Sequence, residues 1–207
     1  MEGLENILVS DMDTDTPTVA IADFGSAAMK DSKNCLYGKT SHYRSPEIIV
    51  NMPGCMSPPT DVWSFACLAF ELITGEALFN PRESLRDNYS SSSEEEESSS
   101  QEESSSYDVS YEVNFEHLIL MQEILGPFPR QFAKRARKYF NAKGKLMDNP
   151  EIYPSSLREA LVDSGLGKEN SVLVEAFLKP MLMYSIKRRA TVEDLLAHPF
   201  VANAAIV

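Results

Sequence analysis

Residues Thr60 to Gly75 read TDVWSFACLAFELITG. Between the flanking threonine and glycine only Asp61, Ser64, Glu71 and Thr74 are polar. Capping residues in front and a glycine stop behind predict a helix over 61–74. A helix apolar nearly all round must be enclosed by protein, so this one is the hydrophobic axis of the fold. Upstream, Asn6 to Val9, the turn-rich SDMDTDTPT and Val19 to Ala22 read as a β-hairpin with a loose turn. Downstream, apolar periodicity predicts helices at 114–125, 130–140, 155–163, 170–184 and 191–197. The last opens on Thr191 with Asp194 three residues on, the spacing of a capping box. The expected fold class is mainly α with one short hairpin at the front.

The chain has 207 residues and 43% hydrophobic content, enough for a core. No apolar run approaches the roughly 20 residues of a membrane span, and MEGLENILVS has neither a basic region nor a long apolar stretch. The expected location is the cytoplasm or nucleus. Cys35, Cys55 and Cys67 are odd in number, far apart and without a CxxC pair, so all three are expected as reduced thiols.

The net charge of -12 is local. Residues 82–116 hold eleven acidic and two basic residues, so nine of the twelve excess negative charges sit there. The centre, SSSSEEEESSSQEESSS from Ser90 to Ser106, offers no apolar side chain to bury and repels itself, which predicts a disordered insert over 82–113. Ser91, Ser92, Ser93, Ser99 and Ser100 each have glutamate three residues on, the pattern read by an acidophilic kinase of the casein-kinase type. Such phosphates would make the tract a stronger polyanion that attracts arginine-rich segments. From Arg130 to Lys145 the pattern reverses, with seven basic residues and no acidic one. Phe132, Tyr139 and Phe140 among them raise nucleic acid as a partner. A helix with a solvated basic face and buried aromatics is the plainer reading and is preferred.

Three motifs carry a resemblance. Asp23-Phe24-Gly25, then Ser45-Pro46-Glu47, then the helix from Asp61, with His198-Pro199-Phe200 closing the domain, resemble in order and spacing the back half of a eukaryotic protein kinase. YRSPE with Arg44, and the segment after EILGPFPRQF, look like the group holding cyclin-dependent, MAP, dual-specificity and SR-protein kinases. DVWSFACLAFELITGEALFNP and KYFNAKGKL look most like SR-protein kinases. Those kinases usually have leucine in place of Phe24, whereas the related LAMMER kinases have DFGSA, so both subfamilies stay open. The implied fold is the large C-terminal lobe without the N-terminal lobe: catalytic-loop remnant, activation segment and central helix over 1–81, the insert over 82–113, terminal helices over 114–201 and a tail over 202–207.

The resemblance gives Asp23 a task. Phosphoryl transfer needs Mg²⁺ to neutralise phosphate oxygens, and Mg²⁺ prefers a few hard oxygen ligands. Asp23 is the implied metal and cofactor ligand, and Asn6, from LENILV, the second. The family's loop H-R-D-x-x-x-x-N would put the catalytic base five residues before Asn6, at Met1, and its lysine at Gly3. Base, glycine-rich loop and strand lysine therefore have no counterpart, and the chain alone is expected to be inactive and to bind neither Mg²⁺ nor ATP tightly. Arg44 belongs to the substrate-side loop, where it orients the residue after the phosphorylated one or binds loop carbonyls. Glu47 and Arg189 are implied to form an ion pair locking that loop to the lobe, and Asp61 either accepts from the catalytic-loop backbone or caps its helix. His42, His117 and His198 lack ligand spacing. With a long helix of the family absent, the helix from Asp61 is expected to be under-covered. Two functions follow: a serine/threonine kinase using Mg²⁺ and ATP on Arg/Ser-rich proteins, represented by its C-terminal part, or a non-catalytic module recruiting basic partners.

Overall fold

The computed structural model describes residues 6–10, 18–27, 41–81 and 102–202. Most of the Ser/Glu tract, its five candidate phosphorylation sites, the positions of Met1 and Gly3, and the tail from 203 lie outside the described residues.

The hairpin forms where the sequence places it. β1 (Ile7–Ser10) and β2 (Thr18–Ile21) pair antiparallel with Ile7 opposite Ile21 and Ser10 opposite Thr18. A 3₁₀ turn over Phe24–Ser26 follows. The rest is helical: α1 (Pro46–Ile49), α2 (Pro58–Thr74), α3 (Glu102–Leu125), α4 (Arg130–Arg135), α5 (Leu157–Asp163), α6 (Lys168–Leu178), a 3₁₀ turn at Ile186–Arg188, α7 (Val192–Leu196) and α8 (Pro199–Ala202). The mainly α expectation holds.

Several boundaries move, each for a physical reason. α2 starts at Pro58, not 61, with Ser57 at the N-cap. Prolines at the first two helical positions lose nothing, because those N–H groups have no intrahelical partner anyway. Asp61 thus lies inside the first turn and is not a cap. Gly75 ends the helix at φ 79°, its N–H bonding back to Glu71 O at 2.8 Å. α3 begins twelve residues before the expected 114 and passes through the boundary drawn at 113. Tyr111 anchors the helix, stacking on Phe115 at 5.8 Å and on Tyr139 at 5.2 Å. α4 stops five residues early, since Tyr139 and Phe140 enter a tight turn closed by a bridge between Phe140 and Leu146. α6 ends at Leu178 because Pro180 cannot continue it. The capping box at Thr191 forms, with Thr191 Oγ1 accepting from Asp194 N–H at 3.2 Å and Asp194 accepting from Thr191 N–H at 2.9 Å.

α2 is the axis of the core. Val62, Trp63, Ala66, Cys67, Leu68 and Phe70 are buried, and Trp63 stacks between Phe79 at 6.1 Å and Tyr184 at 6.4 Å. The Tyr184 hydroxyl donates to Met121 O and Gly126 O, both at 2.9 Å, fastening the C-terminal end of α3. The expected under-covering of α2 is therefore confined to one stripe, where Asp61, Phe65 and Leu72 are exposed. More apolar surface is open on the hairpin, at Leu8, Val9, Val19 and Ile21, and on Phe24 just beyond it.

The cysteine expectation is corrected. Cys67 is a free, buried thiol whose ionisation burial strongly disfavours, but Cys55 is disulfide-bonded. Spacing along a chain does not limit which sulfurs a fold brings together. Cys35 lies outside the described residues. Among the described residues no helix is long and apolar enough to cross a membrane.

Candidate functional site

The hairpin ladder fixes where Asn6 and Asp23 sit. Ala22 N–H donates to Asn6 O at 2.8 Å, one step past the Ile7–Ile21 pair, so the two candidate ligands stand at the same end of the sheet. Ile7 packs against the core and ties that end to the helical body. Asp23 then leaves the strand with φ 57° and ψ 76°, a left-handed conformation that costs a non-glycine residue on the order of 1–3 kcal/mol and is concentrated at functional sites. Its Oδ1 accepts the Gly25 N–H at 3.2 Å, which partly offsets that cost. A Cβ on Gly25 would lie 3.1 Å from the same oxygen, so glycine keeps the carboxylate uncrowded. Asp23 remains exposed.

A second feature is the segment from Ser41 to Glu47, which is pinned at successive side chains. His42 Nε2 and Asn80 Oδ1 are 3.1 Å apart. Tyr43 donates its hydroxyl to Glu71 Oε2, while Ser64 donates to Tyr43 O at 2.9 Å. Arg44 Nη1 donates to Asn114 Oδ1 on α3 at 3.3 Å. These partners explain most of the polar residues on α2: Ser64 and Glu71 hold the segment. The sequence marked them as exceptions on an apolar helix without showing what they bind.

At the end of the segment, Glu47 and Arg189 meet in the interior. Arg189 Nη1 donates to Glu47 Oε1 at 2.6 Å and Nη2 to Oε2 at 3.0 Å, with both side chains fully removed from solvent. The guanidinium also donates from Nη1 to Pro59 O at 2.7 Å and from Nη2 and Nε to Met183 O at 3.0 and 3.1 Å. Thr60 Oγ1 donates to Glu47 Oε1 at 3.2 Å, and the Arg189 charge lies 5.1 Å from the Trp63 ring centroid. A bidentate pair with all its remaining donors engaged is the geometry in which burying two charges is tolerated. It closes a 142-residue loop and joins α1, the start of α2 and the turn before α7.

The histidines act separately. His117 is enclosed against Phe79 at 5.3 Å; burial first, then the Arg44 and His42 charges, push its pKa down to about 3, so it stays neutral. His198 packs against Phe177. Among the described residues no group of three or more His, Cys, Asp or Glu is placed to hold a metal. Asn6 and Asp23 offer one amide and one carboxylate oxygen, a set suited to a hard cation that keeps water and takes its other ligands from elsewhere.

Comparison with known proteins accords with these motifs. The protein kinase domain family matches residues 4–201. Serine/threonine-protein kinase SRPK of Physarum polycephalum is 33% identical over 192 residues, covering 90% of this chain and 39% of that protein. SRSF protein kinase 3 of Mus musculus is 30% identical over 205 residues, covering 96% of this chain and 32% of its own length. Dual specificity protein kinase lkh1 of Schizosaccharomyces pombe is 31% identical over 193 residues, covering 88% and 23%. The chain thus spans between about a quarter and two fifths of these relatives. With the motif order, the match over 4–201 and relatives named as SR-type kinases all in agreement, the chain belongs to the protein kinase domain family and stands close to the SR-protein kinases.

Proposed function

We propose that this chain forms the large-lobe side of a serine/threonine kinase that transfers the γ-phosphoryl group of ATP to serines in Arg/Ser-rich proteins. The observation that carries the reading is the end of the hairpin, where Asp23 is held in a left-handed conformation next to Asn6. Their oxygens fit Mg²⁺, which when bound neutralises charge on the transferring phosphates. The pinned segment around Arg44 supplies the substrate side, and the Glu47–Arg189 pair fixes that segment to the body. The substrate class rests on the relatives named SRPK and SRSF protein kinase.

The 207 residues taken alone are proposed to be inactive. Nothing in them corresponds to the catalytic base or the nucleotide roof, and phosphoryl transfer depends wholly on positioning and electrostatics. The test is incubation of the pure chain with Mg²⁺, γ-labelled ATP and an Arg/Ser peptide. No transfer above the blank is expected; turnover abolished by Asp23→Ala would overturn the inactivity. Mn²⁺ titration followed by paramagnetic broadening checks the ligand assignment separately, with selective loss of the Asn6 and Asp23 amide signals expected and removed by Asp23→Ala. Broadening elsewhere but not there would reject the assignment.

A further inference from the structure

The proposed phosphoryl transfer leaves the basic stretch from Arg130 to Lys145 without a role. Its aromatic residues Phe132, Tyr139 and Phe140 are buried, and its seven cations are all exposed. Arg137 and Lys138 follow the end of α4 in the chain, and the fold gathers the other five. α4 presents Arg130, Lys134 and Arg135, and the turn closed by the Phe140–Leu146 bridge carries Lys143 and Lys145 back beside it. A Cβ at Gly144 would come within 3.7 Å of Arg130 Cγ and 3.6 Å of Ala133 Cβ, which measures how closely turn and helix approach. The turn is held rigid, since Asn141 Oδ1 accepts from Lys143 N–H at 2.9 Å and Lys145 N–H at 3.1 Å, and Asn141 N–H donates to Lys145 O at 2.8 Å. Among the described residues none of Arg130, Lys134, Arg135, Arg137, Lys143 and Lys145 forms an ion pair.

We propose that these six residues form a docking surface for an acidic, serine-phosphorylated segment of a partner protein. Three of them are arginines, whose planar guanidinium takes phosphate oxygens two at a time, and clustered arginines are a recurring means of reading phosphorylated or acidic motifs. Single-stranded nucleic acid fits less well, because its sequence-tolerant binding uses exposed aromatic rings and this face has buried all of its own. A membrane surface fits less well too, since no large apolar side chain is exposed between Arg130 and Leu146 to enter lipid. The surface works by long-range attraction between clustered cations and phosphate, so affinity rises with each phosphate and falls with salt.

The inference stands independently of the kinase reading, and its test reads binding alone. The probe is a fluorescein-labelled peptide with the sequence SSSEEEESSS of Ser91 to Ser100, prepared with and without phosphate on Ser91, Ser92, Ser93, Ser99 and Ser100. Anisotropy is measured on the full chain and on a chain lacking Ser90 to Ser100, so that the protein's own tract cannot hide a free site. The phosphorylated peptide is expected to bind at least about 10-fold more tightly than the unphosphorylated one and to weaken steeply as salt shortens the Debye length to about 8 Å. Arg130→Glu with Arg135→Glu and Lys145→Glu should remove binding while leaving the thermal melt unchanged, and the corresponding glutamine triple should weaken it about 10-fold. Binding by neither chain, equal binding by the charge-reversed variant, or tighter binding of oligodeoxythymidine or phosphatidylserine vesicles than of the phosphopeptide would each overturn the proposal.

Discussion

Replacing Glu47 with glutamine leaves every neighbour in place and removes one charge. Arg189 would then keep its guanidinium in a site with no exposed surface and no counter-ion, held by the one amide oxygen left at position 47, the carbonyls of Pro59 and Met183 and the face of Trp63. Stranding a buried charge in this way costs about 3 to 5 kcal/mol. For a chain of this size each kcal/mol moves Tm by roughly 2 to 4 °C, so Glu47→Gln should melt about 6 to 20 °C lower. Arg189→Met should cost a similar amount by stranding Glu47. The double variant Glu47→Gln, Arg189→Met leaves no buried charge, and its loss should be smaller than the sum of the two by about 1 to 3 kcal/mol. Urea unfolding followed by circular dichroism on all four proteins measures this cycle. Single losses below about 1 kcal/mol, or strict additivity, would refute the claim that the pair is interior and coupled.

Three further outcomes follow from particular residues. Because burial holds the His117 pKa near 3, below its ordinary value of about 6.5, the unfolded chain binds the proton more readily. Its contribution to stability is complete above about pH 6.5 and falls as pH drops, by about 2 kcal/mol at pH 5. In urea titrations His117→Gln should show that much less loss between pH 7.5 and 5, and an unchanged slope would be contrary evidence. Gly75→Ala places a side chain at φ 79° with open space around it, so only backbone strain acts and the loss should be about 1 to 2 kcal/mol by the same assay. Asp194→Ala removes the carboxylate that accepts from the Thr191 backbone and should fray α7, seen as faster amide exchange at Thr191.

What was legible in the sequence was mostly local. The Thr60–Gly75 stretch announced a buried helix because so few of its residues are polar, and Thr191 with Asp194 announced a capping box because both partners lie within four residues. The hairpin, though not its register, followed from two short β-type runs around a turn-rich loop. What was missed depended on distant partners. α3 extends back into serine- and glutamate-rich chain that composition alone marks as disordered, and the anchor is Tyr111, which rests on Tyr139 from a later turn. Cys55 gave no local sign of being disulfide-bonded. In the candidate site, Asp23, Asn6, Arg44, Glu47 and Arg189 were named from motifs, and the structure brings Glu47 to Arg189 and places Asn6 and Asp23 together. Ser64, Glu71 and Asn114, which pin the segment from Ser41 to Glu47, were not named, because a polar residue on a helix shows its identity but not the strand or loop it faces.

The central claim is that the hairpin end and the pinned segment are working parts of a kinase site, and a graft tests it most directly. Residues 4–201 replace the matching stretch of the Physarum polycephalum relative, which supplies the remainder of its own domain. ATP-dependent phosphorylation of an Arg/Ser peptide is then measured. The account predicts an active graft that loses at least about 100-fold in kcat on Asp23→Ala, as expected when a residue acts on the transferring phosphates. A folded, ATP-binding graft that transfers nothing, or one that Asp23→Ala leaves unchanged, would contradict it.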